Sequence, residues 1–410
     1  MTVHAVAVED LEPLVALCRS GRLFEVEEWI ETAKPVALPK DSSWRSAKRN
    51  PLRIAIDAGF HSLVQVLLEA GAPIREGNYD ALEHAVEMRR ADLAALLFAH
   101  GADVSSVSMR LVIETWEPEM VDLFVANGAS LVRDNPIAWG LIHKIRPTLG
   151  LLKRYAPEHP ELMRQVDLAL RHHAAEGNSK WVALALWAGG DPWARGPYWL
   201  DDDADLDDDE EDAGYRNALE LALTRGHIDI LKQKKLRAAL DPGHPESARL
   251  IEEACHAPDS EPLSLLLELG HSPDQLPDHG TRAISWLLHS MSSDFYFSRT
   301  SVWSSLNPDG GIDSSHARER LKMLHMIVSK GAKWLPADKR AIGDSRRCLL
   351  KMARPYVLEF AWLMQHYEAA RRRDVQELLR TPAMIRLLSK ERSHAARIVA
   401  GIPEEPLCTI

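Results

Sequence analysis

Residues 50–74 read NPLRIAIDAGFHSLVQVLLEAGAPI, and their spacing decides the fold. Leu52, Ala55 and Ile56 stand at i, i+3 and i+4 and share one face of a helix that Pro51 opens, since proline's missing N–H costs nothing in a first turn. Gly59 ends that helix. Leu63, Val64, Leu67 and Leu68 mark a second amphipathic helix closed by Gly71, whose lack of a Cβ permits a left-handed cap. Two antiparallel helices this short are unstable alone. The small Ala55 sits where a neighbouring helix would approach, so the pair is expected to stack on units like itself.

The rest of the chain supplies such units. DALEHAVEMRRADLAALLFAHGADV repeats the register through Leu82, Ala85, Leu93, Leu96, Leu97 and Gly101. The PLxxA, GxxxLVxxLL and GAD pieces resemble the ankyrin repeat, with its T-P-L-H-x-A signature and period of about 33 residues. Aligning on the second glycine finds further copies. One ends at Gly128, with Trp116 in the slot of Gly59; another keeps Asn135, Pro136 and Gly140 but has Ala156 for its closing glycine. The frame returns through Gly177, Trp181 and Gly189, then through Leu219, Ala222, Gly226, His227 and Leu231, and then through Ala254, Leu266 and Gly270. A split copy has its first helix at Arg282–Leu288 and its second at Arg320–Trp334, and Leu14, Gly21, Val26 and Trp29 bring the N-terminus into the series. The expected fold is all-α: about nine copies forming an ankyrin-type solenoid over residues 8–334, with a basic helical C-terminal cap over 335–410.

Leu, Ala and Gly of the repeat read as core and caps. His227 follows Gly226 where ankyrin repeats commonly carry a histidine, so the resemblance implies a structural hydrogen bond between repeats. No two histidines lie i, i+4 with a carboxylate partner, and P-loop, GxGxxG, HExxH and GxSxG patterns are missing, so the expectation is no enzyme, no catalytic residue, no metal and no cofactor.

Three insertions interrupt the frame, at 34–50, 192–215 and 290–316, and long loops tolerate such growth because loop closure entropy rises slowly with length. The first, KPVALPKDSSWRSAKRN, carries Trp44 and Arg45 with Lys48 and Arg49, either as a solvated loop or as a basic contact tip. The second holds Trp193, Tyr198 and Trp199 and then an acidic run, ten of the twelve residues from Asp201 to Asp212, including Asp201, Asp202, Asp203, Asp207, Asp208 and Asp209. Mutual repulsion should keep this run disordered when free, whether it solubilises the chain or neutralises a basic partner, and it lacks the glycine and terminal glutamate of a calcium loop. The third, with Phe295, Tyr296, Phe297 and Trp303, is too apolar for a pure linker and is expected to pack partly on the stack, the alternative being a mobile binding loop. In the C-terminal cap Arg371, Arg372 and Arg373 are either a solvated face or a dock for an acidic partner, a nucleic-acid backbone or the chain's own acidic loop.

The net charge of −11 opposes nucleic-acid binding by bulk charge, but residues 317–400 hold 19 Lys and Arg against 8 Asp and Glu, which makes that segment +11 and the remainder −22. Cys18, Cys255, Cys348 and Cys408 are far apart, without metal-ligand spacing, and no apolar run approaches the roughly 20 residues that span a bilayer. A cytoplasmic protein without membrane contact is expected. The resemblance implies an interaction scaffold or regulatory adaptor that binds a protein partner, a basic one if the acidic run is the contact. The alternative is a regulatory protein that touches or mimics nucleic acid through the basic cap or the acidic loop.

Overall fold

The computed structural model describes residues 2–40, 48–200, 215–275, 282–287, 290 and 314–332. Their regular structure is helical except for one short antiparallel ribbon, Arg75–Glu76 against Tyr79–Asp80, in which Arg75 faces Asp80 and Glu76 faces Tyr79. The fold is all-α. It divides into two compact units, the first essentially Met1–Ala169 and the second beginning at Leu170.

The first unit holds five helix pairs: α1 (Glu12–Arg19) with α2 (Leu23–Glu31), α3 (Pro51–Ala58) with α4 (His61–Glu69), α5 (Ala81–Glu87) with α6 (Ala91–Ala99), α7 (Met109–Glu114) with α8 (Pro118–Ala126), and α9 (Pro136–Ile142) with α10 (Pro147–Tyr155). First helices pack on one another in chain order from α1 through α9, and second helices do so from α2 through α8. The spacing that opened the sequence analysis explains this. Leu52, Ala55, Ile56, Leu63, Val64 and Leu67 are all buried, so the apolar face of each pair is covered by the next. Polar caps fix where helices start: Asn50 Oδ1 accepts from Arg53 N at 3.0 Å and Asp80 Oδ1 from Leu82 N at 2.8 Å, contacts worth about 1 kcal/mol each.

The residue between the two helices of a pair is left-handed in all five: Gly21, Gly59, Arg89, Trp116 and Lys144 have φ of 69°, 73°, 55°, 65° and 64°. Pairs are separated by a second left-handed position at Gly71, Gly101 and Gly128. Ala156 breaks that series with φ of −59°, and the chain passes through a 3-10 turn at Pro160–Leu162 into α11 (Met163–Ala175).

The first insertion is not simply a solvated loop. Val36, Ala37 and Leu38 are buried, Ala5 N donates to Ala37 O at 2.9 Å and Val36 N to Val3 O at 3.0 Å, so burial and backbone hydrogen bonds tie its start to the N-terminal segment around His4. Trp44 and Arg45 lie outside the described residues.

In the second unit, α12 (Ser179–Trp187) packs on α14 (Ile228–Leu231), α13 (Ala218–Thr224) on α16 (Leu250–Cys255), and α16 on α17 (Glu261–Glu268), which meets α18 (Ser314–Ser329). His227 makes the inter-repeat hydrogen bond that the resemblance implied, Nε2 to Ala175 O at 3.0 Å. The copy that runs from Leu219 to Leu231 is irregular in its second half. Its second helix stops at Leu231 and restarts as α15 (Lys234–Ala239), because Gln233 Nε2 and Lys235 Nζ donate to Ser179 O and Leu186 O of the preceding pair, at 2.8 and 2.7 Å.

Candidate functional site

The acidic run is bracketed by two segments of the second unit that the structure joins. Gly196 and Arg216 form an isolated antiparallel bridge, and Arg195 Nη1 donates to Tyr215 O at 3.1 Å. Residues 194–199 and 215–217 therefore make a neck that joins the two sides of the run in space.

Two arginines pin the neck in opposite senses. From α11, Arg171 Nε donates to Pro197 O at 2.8 Å and Nη1 to Ala194 O at 3.0 Å. His172 Nδ1 lies 3.0 Å from Tyr198 O, and because a carbonyl only accepts, this nitrogen carries the proton. Glycine suits position 196, where φ is 156° and a Cβ would come within 2.8 Å of the Arg171 guanidinium. From the loop, Arg195 reaches the other way, forking onto Glu220 with Nη1 at 2.9 Å from Oε2 and Nη2 on Oε1, while Nε donates to Glu246 Oε2 at 3.1 Å.

Glu220 is placed by local sequence. Asn217 caps α13, its Oδ1 accepting from Glu220 N at 2.9 Å while Glu220 Oε2 accepts from Asn217 N at 3.2 Å, a reciprocal capping box. The side chain of Glu220 is fully buried. Burial pushes its carboxyl above the usual range; Arg195 and the Asn217 N–H offset part of that, and the charge of Glu253 adds to it. Glu253, on α16, behaves oppositely. Burial opposes its charge, but His256 Nδ1 at 3.3 Å, Arg216 Nε at 3.2 Å and the Thr224 hydroxyl at 2.9 Å together hold it below the usual range.

Around this ionic base sit the aromatics singled out in the sequence, all half-buried. Trp193 stacks on His244 with ring centroids 3.9 Å apart and planes 11° from parallel. Tyr198 and Trp199 meet edge to face at 4.6 Å, and Arg225 Nη2 donates to the Tyr198 hydroxyl at 3.4 Å. So the structure pairs Tyr198 with Trp199 and sets Trp193 against His244. Asp201, Asp202, Asp203, Asp207, Asp208 and Asp209, and Arg371, Arg372 and Arg373, lie outside the described residues.

Sequence reading missed Arg171, Arg195, Glu220 and His244. One signal was available: Asn217 followed three residues later by Glu220 is a capping-box pattern that places Glu220 at the start of a helix. Nothing local indicated that Arg195, 25 residues upstream of it, would be its partner. Among the described residues no group of three or more His, Cys, Asp or Glu side chains is arranged to hold a metal ion, and no helix is long and apolar enough to cross a membrane. Chemically, the neck is an ion-paired junction with aromatic shoulders.

In comparison with known proteins, no protein-family model and no curated sequence matches the chain.

Proposed function

We infer that the chain is a protein-interaction scaffold, an ankyrin-type array of paired helices that presents the acidic segment Asp201–Asp212 to a basic partner protein. The observation that carries this reading is the neck. Arg171 and Arg195 hold the segments on either side of the run through eight polar contacts counted with His172 and the Gly196–Arg216 bridge. A merely solubilising insertion has no use for such a mount, whereas fixing both ends of a charged segment lowers the entropy lost when it binds.

Paired helices packed in order support the scaffold reading, because such arrays offer extended surface in proportion to their length. Charge supports the sign of the partner, since ten carboxylates in twelve residues steer cationic surfaces toward them and repel acidic ones. Trp193, Tyr198 and Trp199 beside the run belong to the residue types that dominate binding hot spots.

Deleting Asp201–Asp212 from the full chain tests the proposal. Far-ultraviolet circular dichroism and the melting curve should stay close to the parent, while affinity for polylysine at low salt falls at least about tenfold. Unchanged polylysine binding, or loss of the helical fold on deletion, would overturn it.

A further inference from the structure

Helix α12 carries two tryptophans with opposite fates. Trp181 is 6% exposed and tilts against His173 with ring centroids 5.6 Å apart, whereas Trp187, its last residue, is 67% exposed. Among the described residues of the second unit no other large apolar side chain stands out in solvent. Trp187 is therefore an isolated flat ring and not part of an apolar patch.

Its surroundings are cationic. Lys180 and Trp187 are both exposed and seven positions apart, which puts them on one face of α12 about 10 Å from each other along the axis. The break after α14 lays a basic segment against the same helix. Gln233 Nε2 donates to Ser179 O and Lys235 Nζ to Leu186 O, at 2.8 and 2.7 Å, so these two side chains reach opposite ends of α12. Lys235 thereby brings its ammonium to the carbonyl that precedes Trp187. Lys232, Lys234 and Arg237 are exposed, and neither they nor Lys180 pair with a carboxylate among the described residues.

Acids are few here. Residues 179–187 and 228–240 hold Lys180, Lys232, Lys234, Lys235 and Arg237 against Asp229, a balance of +4. Widening each stretch by four residues at both ends adds Arg225, Glu176, Asp191 and Asp241 and leaves +2. Two of those carboxylates are already engaged in turns, Asp191 accepting from Trp193 N at 2.9 Å and Asp241 from Gly243 N at 3.0 Å. The next second helix, α17, is acidic, with Glu261 and Glu268 exposed, so the cationic ground ends at α15.

We propose that α12 and the segment Lys232–Arg237 form a docking surface for single-stranded nucleic acid. One base stacks on Trp187, and neighbouring phosphates meet Lys180, Lys234, Lys235 and Arg237. A lone exposed ring among cations is what an unstacked base requires, since every base has a flat face and needs only one aromatic partner. An acidic protein segment fits less well, because protein hot spots rest on clustered anchors ringed by contacts that exclude water, and Trp187 has no large apolar neighbour in solvent. Four of the five cations are lysines, which meet phosphate as point charges and carry no forked geometry for reading base edges.

The test is fluorescence anisotropy of a labelled oligothymidylate titrated with the full chain at low salt. Saturable binding is expected, tighter than to a duplex of the same length, whose bases are closed to Trp187 although it carries twice the phosphates. Trp187→Ala should melt with the parent, because most of the ring is already in solvent, and lose about tenfold in affinity, the scale of one lost base stack. Trp187→Phe, which keeps a ring, should retain most of the affinity. Lys234→Gln combined with Arg237→Gln should flatten the slope of log affinity against log salt by roughly 1.4, about 0.7 for each phosphate contact removed. Residues 317–400, at +11, attract any polyanion by charge, so each comparison is between chains that keep them intact. The chain lacking Asp201–Asp212 should bind the oligonucleotide at least as tightly as the parent, so this surface and the acidic segment stand or fail separately. No binding at low salt, a preference for the duplex, or equal binding by the parent and Trp187→Ala overturns the proposal. Polyglutamate that displaces the label as well as unlabelled oligothymidylate does also overturns it, and assigns the surface to an acidic protein.

Discussion

Replacing Arg195 with alanine removes the only guanidinium seen on Glu220 among the described residues, and the cost can be worked from the burial of the two partners. Glu220 is fully buried, whereas the Arg195 side chain is 28% exposed. Breaking a buried pair by deleting one member costs about 3–5 kcal/mol, because the surviving charge keeps its desolvation penalty. Water entering at the partly exposed Arg195 site discounts that figure, so about 3 kcal/mol at about pH 8 is expected. The pH dependence supplies the sharper check. The carboxyl of Glu220 is already raised by burial, and Arg195 is what holds it down. Without Arg195 it rises further. A folded pKa above the unfolded one means that the folded state binds the extra proton, so the deficit is fully present above the folded pKa and shrinks as pH falls toward the ordinary carboxylate range. Urea titrations followed by circular dichroism at about pH 8 and about pH 5 measure both quantities. The double variant Arg195→Ala, Glu220→Gln should recover much of the loss, since no buried charge remains. A midpoint for Arg195→Ala equal to the parent, or a deficit of the same size at both pH values, would refute the reasoning.

Two further outcomes follow from the same structure. His271 is buried, with Nε2 3.3 Å from Leu240 O; burial pushes its pKa below the usual histidine value, and the Leu240 carbonyl, Gln275 and Asp241 offset part of this. Stability from the neutral ring is therefore fully present above the ordinary histidine pKa and is lost as pH falls from there toward the folded value, so melting temperature should decline over that window in the parent and less in His271→Leu. At the left-handed glycines, Gly101→Ala meets no atom within 4 Å and should cost only backbone strain, about 1–2 kcal/mol, whereas in Gly177→Ala the new Cβ would stand 2.8 Å from the His227 ring. Chemical denaturation should rank Gly177→Ala as clearly the more damaging; equal losses would mean that His227 yields freely.

The helix pairs were legible because each is a local object. Leu52, Ala55 and Ile56 reveal a face by spacing alone, and Gly71, Gly101 and Gly128 fall at closing positions that the backbone then adopts with positive φ. Even the irregularities could be read: Ala156, in the slot of a closing glycine, is right-handed, and Trp116, in the slot of Gly59, is left-handed. The aromatics and acids of the second insertion stood out by composition. Their setting did not, because Trp193 finds His244 and Arg195 finds Glu220 and Glu246 across intervals that contain the acidic run and, for His244 and Glu246, several helices.

By itself, the sequence determined a succession of two-helix modules and the positions of their caps, since helical periodicity and capping involve residues within a few positions of one another. Tertiary structure alone decided that Val36–Leu38 are buried, that the helix after His227 breaks at Gln233, and that Arg195 locks onto Glu220. Each of these joins segments that become neighbours only after the modules have packed, and no local spacing encodes which buried charge or backbone carbonyl a side chain will then meet.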